Sequence, residues 1–129
     1  MSASLGMLSL LVRDYDEAIA YYTQTLGFTL IEDTALNPTK RWVVVAPSTE
    51  SGARLLLAKA GSDTQQAYIG NQTGGRVFLF LYVSDFDATY TRYRSAGVRF
   101  IETPRQEAFG KVVVFEDLYG NRWDMIERQ

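Results

Sequence analysis

The chain has 129 residues, 47% of them hydrophobic and 22% charged, with a formal net charge of −2. That length accommodates one domain with its own core, and the slightly acidic balance lacks the basic footprint that nucleic acid requires. Cysteine and histidine are both absent, which excludes disulfides, thiol nucleophiles, thiolate and imidazole metal ligands, and the commonest general base.

The N-terminal run "MSASLGMLSLLVRD" has no basic region, and its apolar part is short, so it reads as a strand over 7–12 rather than a signal peptide. No stretch reaches the length of a membrane span, and a soluble cytoplasmic protein without a membrane partner is the expectation. Asp14 or Asp16 then caps a helix of about three turns, in which Ala18, Ile19, Tyr22 and Leu26 recur at helical spacing. Gly27 is placed to stop it. Strands follow at 28–33, 41–46 and 53–59. Segment 60–76 is rich in Gly, Ser, Thr, Asn and Gln and reads as a linker or lid, with Tyr68 and Ile69 packing part of it. The grammar then returns: strand 77–83, helix 86–96, a stop at Gly97, and strands 98–102, 111–116 and 122–127, the last two joined by the turn "DLYGN". The order is βαβββ, twice, which predicts an α+β fold built by internal duplication.

Identities support the duplication. Leu10, Val12, Asp14, Asp16 and Tyr22 align with Leu81, Val83, Asp85, Asp87 and Tyr93; Gly27 aligns with Gly97, and Gly52 and Arg54 with Gly120 and Arg122. These shared residues read as scaffold: Asp14 and Asp85 as helix caps, the glycines as stops, the tyrosines as core. One domain over 1–129 is expected, made of modules at about 5–59 and 77–128 joined by the 60–76 linker.

The stretches "LVRDYDEAIAYYTQTLGF", "YVSDFDATYTRYRSAGV" and "FGKVVVFEDLYGNRWDMIE", with the duplication, resemble the vicinal oxygen chelate superfamily of glyoxalases, bleomycin-resistance proteins and extradiol dioxygenases. The resemblance covers essentially the whole chain. It implies two βαβββ modules whose mixed sheets curl around a cavity, and it implies a homodimer. Metal-dependent members carry ligands on the first and last strands of the modules. Counting from Asp14, Asp85 and Asp117 maps those positions to Met7, Phe78, Asp124 and, through the repeat, Leu56. Leucine and phenylalanine do not coordinate, methionine is a soft donor, and one carboxylate does not make a hard-cation site. No metal and no cofactor are therefore expected.

Strand alternation extends the list of cavity-lining residues. Met7 and Ser9 share a face with Leu11. Phe78, Phe80 and Tyr82 share one on the strand of the second module, with Arg122 and Asp124 on the last strand and Arg54 and Leu56 on its counterpart. The faces of 41–46 stay unassigned. Arg54 and Arg122 are the expected partners of a buried Asp124. "AFGK" at 108–111 and the loop containing Tyr68 are the expected rim; Arg105 and Glu107 lie on that loop too and read as solvated. No residue is assigned a catalytic role. The expected function is metal-free binding of a small aromatic or cationic molecule, with antibiotic sequestration as one use. The alternatives are a lyase, isomerase or dioxygenase of the same superfamily, or a module whose aromatic stripe merely fills its core.

Overall fold

The computed structural model describes residues 2–128. They form a mixed α+β fold in which the chain divides into two compact units between Ile69 and Gly70.

Unit 1 contains β1 (Met7–Val12), α1 (Tyr15–Ala20), β2 (Thr29–Ala35), β3 (Arg41–Ala46), β4 (Arg54–Lys59) and α2 (Asp63–Tyr68). Its sheet runs β1-β4-β3-β2, with β1 parallel to β4 and the other pairs antiparallel. Unit 2 contains β5 (Val77–Tyr82), α3 (Phe86–Ser95), β6 (Arg99–Phe100), β7 (Arg105–Glu107), β8 (Gly110–Glu116) and β9 (Arg122–Arg128). Its sheet runs β5-β9-β8-β6, and β7 adds to β8. The plan is the same in both units. The first and last strands lie parallel, so a helix must cross over between the first strand and the rest.

Both caps fall where the sequence places them. Asp14 accepts from the Glu17 amide at 2.9 Å and Asp85 from the Ala88 amide at 3.1 Å. Both expected stops, Gly27 and Gly97, have positive φ. At the end of α3 the Gly97 amide returns to the Arg94 carbonyl and the Val98 amide to the Tyr93 carbonyl. This double return is the Schellman arrangement that a left-handed residue permits.

Three expectations are corrected, and the 60–76 segment gains a helix, with Ser62 capping α2 by accepting from the Gln65 amide at 3.1 Å. The first helix is not α-helical throughout: Tyr21–Thr25 is a π-helical turn, with the Leu26 amide bonded to the Tyr21 carbonyl. Arg105 and Glu107 lie in β7, hydrogen-bonded to β8, rather than in a loop. The strand expected over 98–102 pairs only at Arg99 and Phe100.

Each sheet buries the face turned to its helix. In unit 1, Leu10, Val12, Val43, Val45, Leu55 and Leu57 are buried with Ala18, Tyr22 and Leu26. In unit 2, Leu81, Val113, Phe115, Trp123 and Met125 are buried with Phe86 and Tyr93. Phe115 lies between Trp123, stacked at 5.7 Å, and Tyr93, edge-on at 5.8 Å. The "DLYGN" turn is anchored from inside. The buried Asp117 carboxylate accepts from the Tyr119 and Asn121 amides, the Asn121 side chain and Trp123 Nε1. A charged group can be buried here because its acceptor capacity is filled.

Asp117→Ala would leave the Asn121 and Trp123 donors without this acceptor and should cost about 2–4 kcal/mol, read as a lower urea midpoint. Gly97→Ala should cost only about 1–2 kcal/mol by the same measurement. At that position φ is 86° and no atom lies within 4 Å of the added methyl, so only the left-handed backbone is penalised.

Candidate functional site

The strand registers decide which expected residues stand together. In unit 1, Met7 pairs with Arg54, Ser9 with Leu56 and Leu11 with Ala58, so these lie on the face away from α1. Leu56 pairs with Val44, which puts Val44 and its neighbour by alternation, Trp42, on that same face. The sequence left this point open. The end of the face widens into a groove of about 690 Å³ with Leu11, Trp42, Leu56 and Ala58 on its walls and Lys40, Lys59 and Gln65 among its polar residues. Met7 and Arg54 lie on the face but not in the groove.

Arg41, at the groove edge, is occupied. It binds Asp33 through two nitrogens at 3.1 and 2.7 Å and Asp16 at 2.9 Å, and its guanidinium lies over the Tyr15 ring. The hydrogen bonds from Arg41 hold the Asp33 carboxyl below its usual range. Arg41 thus ties α1 to β2 and β3, while Lys40 and Lys59 form no ion pair among the described residues.

In unit 2 the register shifts between Val77 and Leu79. This bulge divides the expected aromatic stripe. Phe78 and Arg122 line a small polar pocket of about 260 Å³ with the glycine-rich segment 70–76. Phe80 pairs with Asp124 and Tyr82 with Ile126 on the face away from α3. Phe80 is 56% exposed and Tyr82 55%. These two rings therefore do not fill a core.

Asp124 departs from expectation in its partners. Arg122 donates instead to the Gly75 carbonyl at 3.1 Å. The cation that acts on Asp124 is Arg105, which is itself held by Glu102 at 3.0 Å and Glu107 at 2.9 Å. Asp124 Oδ1 is buried and has no hydrogen-bond partner among the described residues. Burial pushes the Asp124 carboxyl above its usual range; Arg105 partly opposes this and Glu102 adds to it.

Sequence reasoning missed several residues here. Trp42, Lys40, Lys59 and Gln65 escaped because one apolar run gave no facing and α2 was read as linker. Glu102 was not singled out, and Arg105 was placed in a rim loop, because β7 is only three residues long. Arg128, whose guanidinium lies 4.0 Å from the centre of the Tyr82 ring, was findable: continuing the alternation of Asp124 and Ile126 by one step reaches it.

The donor set does not suit a divalent metal. Met7 and Leu56 lie in unit 1, and Phe78 and Asp124 in unit 2; only Asp124 offers a hard oxygen. Among the described residues no three His, Cys, Asp or Glu side chains cluster as a metal site. Among the described residues no helix is long and apolar enough to cross a membrane.

Comparison with known proteins is consistent over nearly the full chain. Residues 4–125 match the family model described as Glyoxalase/Bleomycin resistance protein/Dioxygenase superfamily. An uncharacterized protein of Shewanella frigidimarina is 49% identical over 98% of this chain and 95% of that one. The crystal structure of UcmS2 superposes with a TM-score of 0.84 at 31% identity, covering 98% of this chain and 99% of that one. TnmS3, described as an antibiotic binding protein from Streptomyces sp. CB03234, superposes with a TM-score of 0.81 at 26% identity, covering 99% and 98%. With both modules, their shared strand order and the "DLYGN" turn accounted for, the chain belongs to the glyoxalase, bleomycin-resistance protein and dioxygenase superfamily.

Proposed function

We propose that this protein binds a small planar aromatic or cationic molecule without a metal, as a homodimer, and that sequestration of an antibiotic is the use to which such binding is put. The observation that carries the reading is the face of unit 2 away from α3. There Phe80 and Tyr82 stand exposed beside Asp124. Large aromatic side chains held in water on a rigid strand are costly unless a partner covers them, and a few polar groups among apolar walls is the ordinary make-up of a small-molecule site. The groove of unit 1 repeats that make-up, with Trp42 and Leu56 on its walls and lysines among its polar residues. The likeness to TnmS3 supports an antibiotic as the ligand class. Residual exposure of Met7, Leu30, Phe80 and Tyr82 supports a second copy as part of the cover.

A thermal-shift screen of planar aromatic antibiotics and dyes should find compounds that raise Tm, since a ligand of the native state alone stabilises it. Chelation should leave that binding unchanged, and Phe80→Ala with Tyr82→Ala should weaken it at least about tenfold. If no aromatic compound stabilises the protein, or if binding vanishes with EDTA and returns with a metal, the proposal fails. Analytical ultracentrifugation at micromolar concentration should give twice the chain mass, and a monomer would remove the homodimer from it.

A further inference from the structure

The open face of unit 2 contains a polar group that the fold leaves unsatisfied. No described protein group donates a hydrogen bond to Asp124 Oδ1, which is buried. Native structures rarely leave a buried carboxyl oxygen in this state unless a ligand or water completes it. Neither the core nor a salt bridge needs Asp124 there. Its strand neighbours Trp123 and Met125 make the core, and Arg105 is already bound by Glu102 and Glu107.

The cation that acts on Asp124 is shared with two other carboxylates. The network beside Asp124 joins Glu102 and Glu107 to one guanidinium, so with Asp124 it brings three carboxylates to a single cation. Glu102 also accepts from the Val114 amide, and Val114 is the residue paired with Asp124 on β8, so the network is fixed to the sheet. Across the strand from Asp124 lies the exposed ring of Phe80. One position further along the same face, the Tyr82 ring already holds a cation, the guanidinium of Arg128 at 4.0 Å. Aromatic faces and an unpaired carboxylate are the two elements that recognise an organic cation. The duplication adds a contrast: the last strand of unit 1 carries Leu56 at the position of Asp124.

We infer that Asp124 is the polar anchor of the unit 2 face, accepting a charge-assisted hydrogen bond from the protonated nitrogen of a planar aromatic cation that lies against Phe80. The inference rests on the aromatic-binding reading above and narrows its ligand class.

The charged and titratable groups on this side of the sheet are Asp124 itself, Arg105 and Glu107 on β7, Glu102 before it, Arg99 on β6, Glu116 on β8, Tyr82 on β5, and Arg122 and Arg128 on β9. Glu116 pairs with Arg99. Burial raises the Asp124 carboxyl. Cation binding needs it ionised. Affinity for a permanent cation therefore falls as pH drops through the raised range of this carboxyl and is full above it. An anionic ring should show no such loss.

The test measures binding of 9-aminoacridine, a planar cation, and anthracene-9-carboxylate, a planar anion, to the full-length protein and to Asp124→Asn between pH 4 and 8. The wild type should prefer the cation. Asp124→Asn should weaken cation binding at least about tenfold, as loss of a charge-assisted bond implies, and should flatten its pH dependence. The unliganded variant should be as stable as the wild type near neutral pH or more so, because it removes a carboxylate whose ionisation opposes folding as pH rises. Equal binding of both rings, or a variant that binds the cation as well as the wild type, overturns the assignment and leaves the aromatic site standing. A variant that loses cation affinity only by melting far below the wild type makes Asp124 structural, which also overturns it. If neither ring binds to the wild type, the aromatic-binding reading fails together with the assignment.

Discussion

Each of the two sheets has two faces and one crossover helix, and the rest of the structure follows from that mismatch. Side chains alternate along a strand, so every strand must supply one set for the helix and another for the opposite side. Leu10 and Val12, or Trp123 and Met125, pack inward with their helix and are almost wholly buried. Their neighbours Met7 and Ser9, or Phe80 and Asp124, cannot reach that core. The fold therefore presents, in each unit, a second sheet face on which buried residues such as Val44 or Val114 stand beside exposed ones such as Met7 or Phe80. One frame can host many chemistries on such faces.

Two aspartates seven residues apart show how differently the frame and the surface treat the same side chain. Asp117 is buried, yet backbone amides, an asparagine and a tryptophan indole fill its acceptor capacity. It closes the turn that aligns β8 with β9. Asp124 sits within β9, and its Oδ1 finds no donor among the described residues. Burial raises its carboxyl, and the guanidinium that acts on it is shared with two glutamates. The first aspartate is satisfied by the chain itself; the second is not.

Much of the frame was legible because it depends on local rules. A capping aspartate, a helical stripe and a stopping glycine act within a few residues, so Asp14, Tyr22 and Gly27 could be placed, and the duplicate at Asp85, Tyr93 and Gly97 confirmed the reading. Alternation then assigned Leu10 and Met7, or Leu81 and Phe80, to opposite faces correctly. It could not assign 41–46, where four successive residues from Val43 to Ala46 are buried and the pattern carries no phase. The π-turn after Ala20 and the three residues of β7 were equally invisible, since each is set by hydrogen bonds that no composition encodes.

The sequence by itself determined the two-module plan and the caps and stops, because those follow from residue type and short-range spacing. Only the tertiary structure decided which groups meet. Strand register brought Phe80 level with Asp124, a bulge moved Phe78 away to Arg122, and the short β7 delivered Arg105 where Arg122 had been expected. Such meetings join residues distant along the chain. They are set by hydrogen-bond register between strands, and a shift of a single residue changes every neighbour.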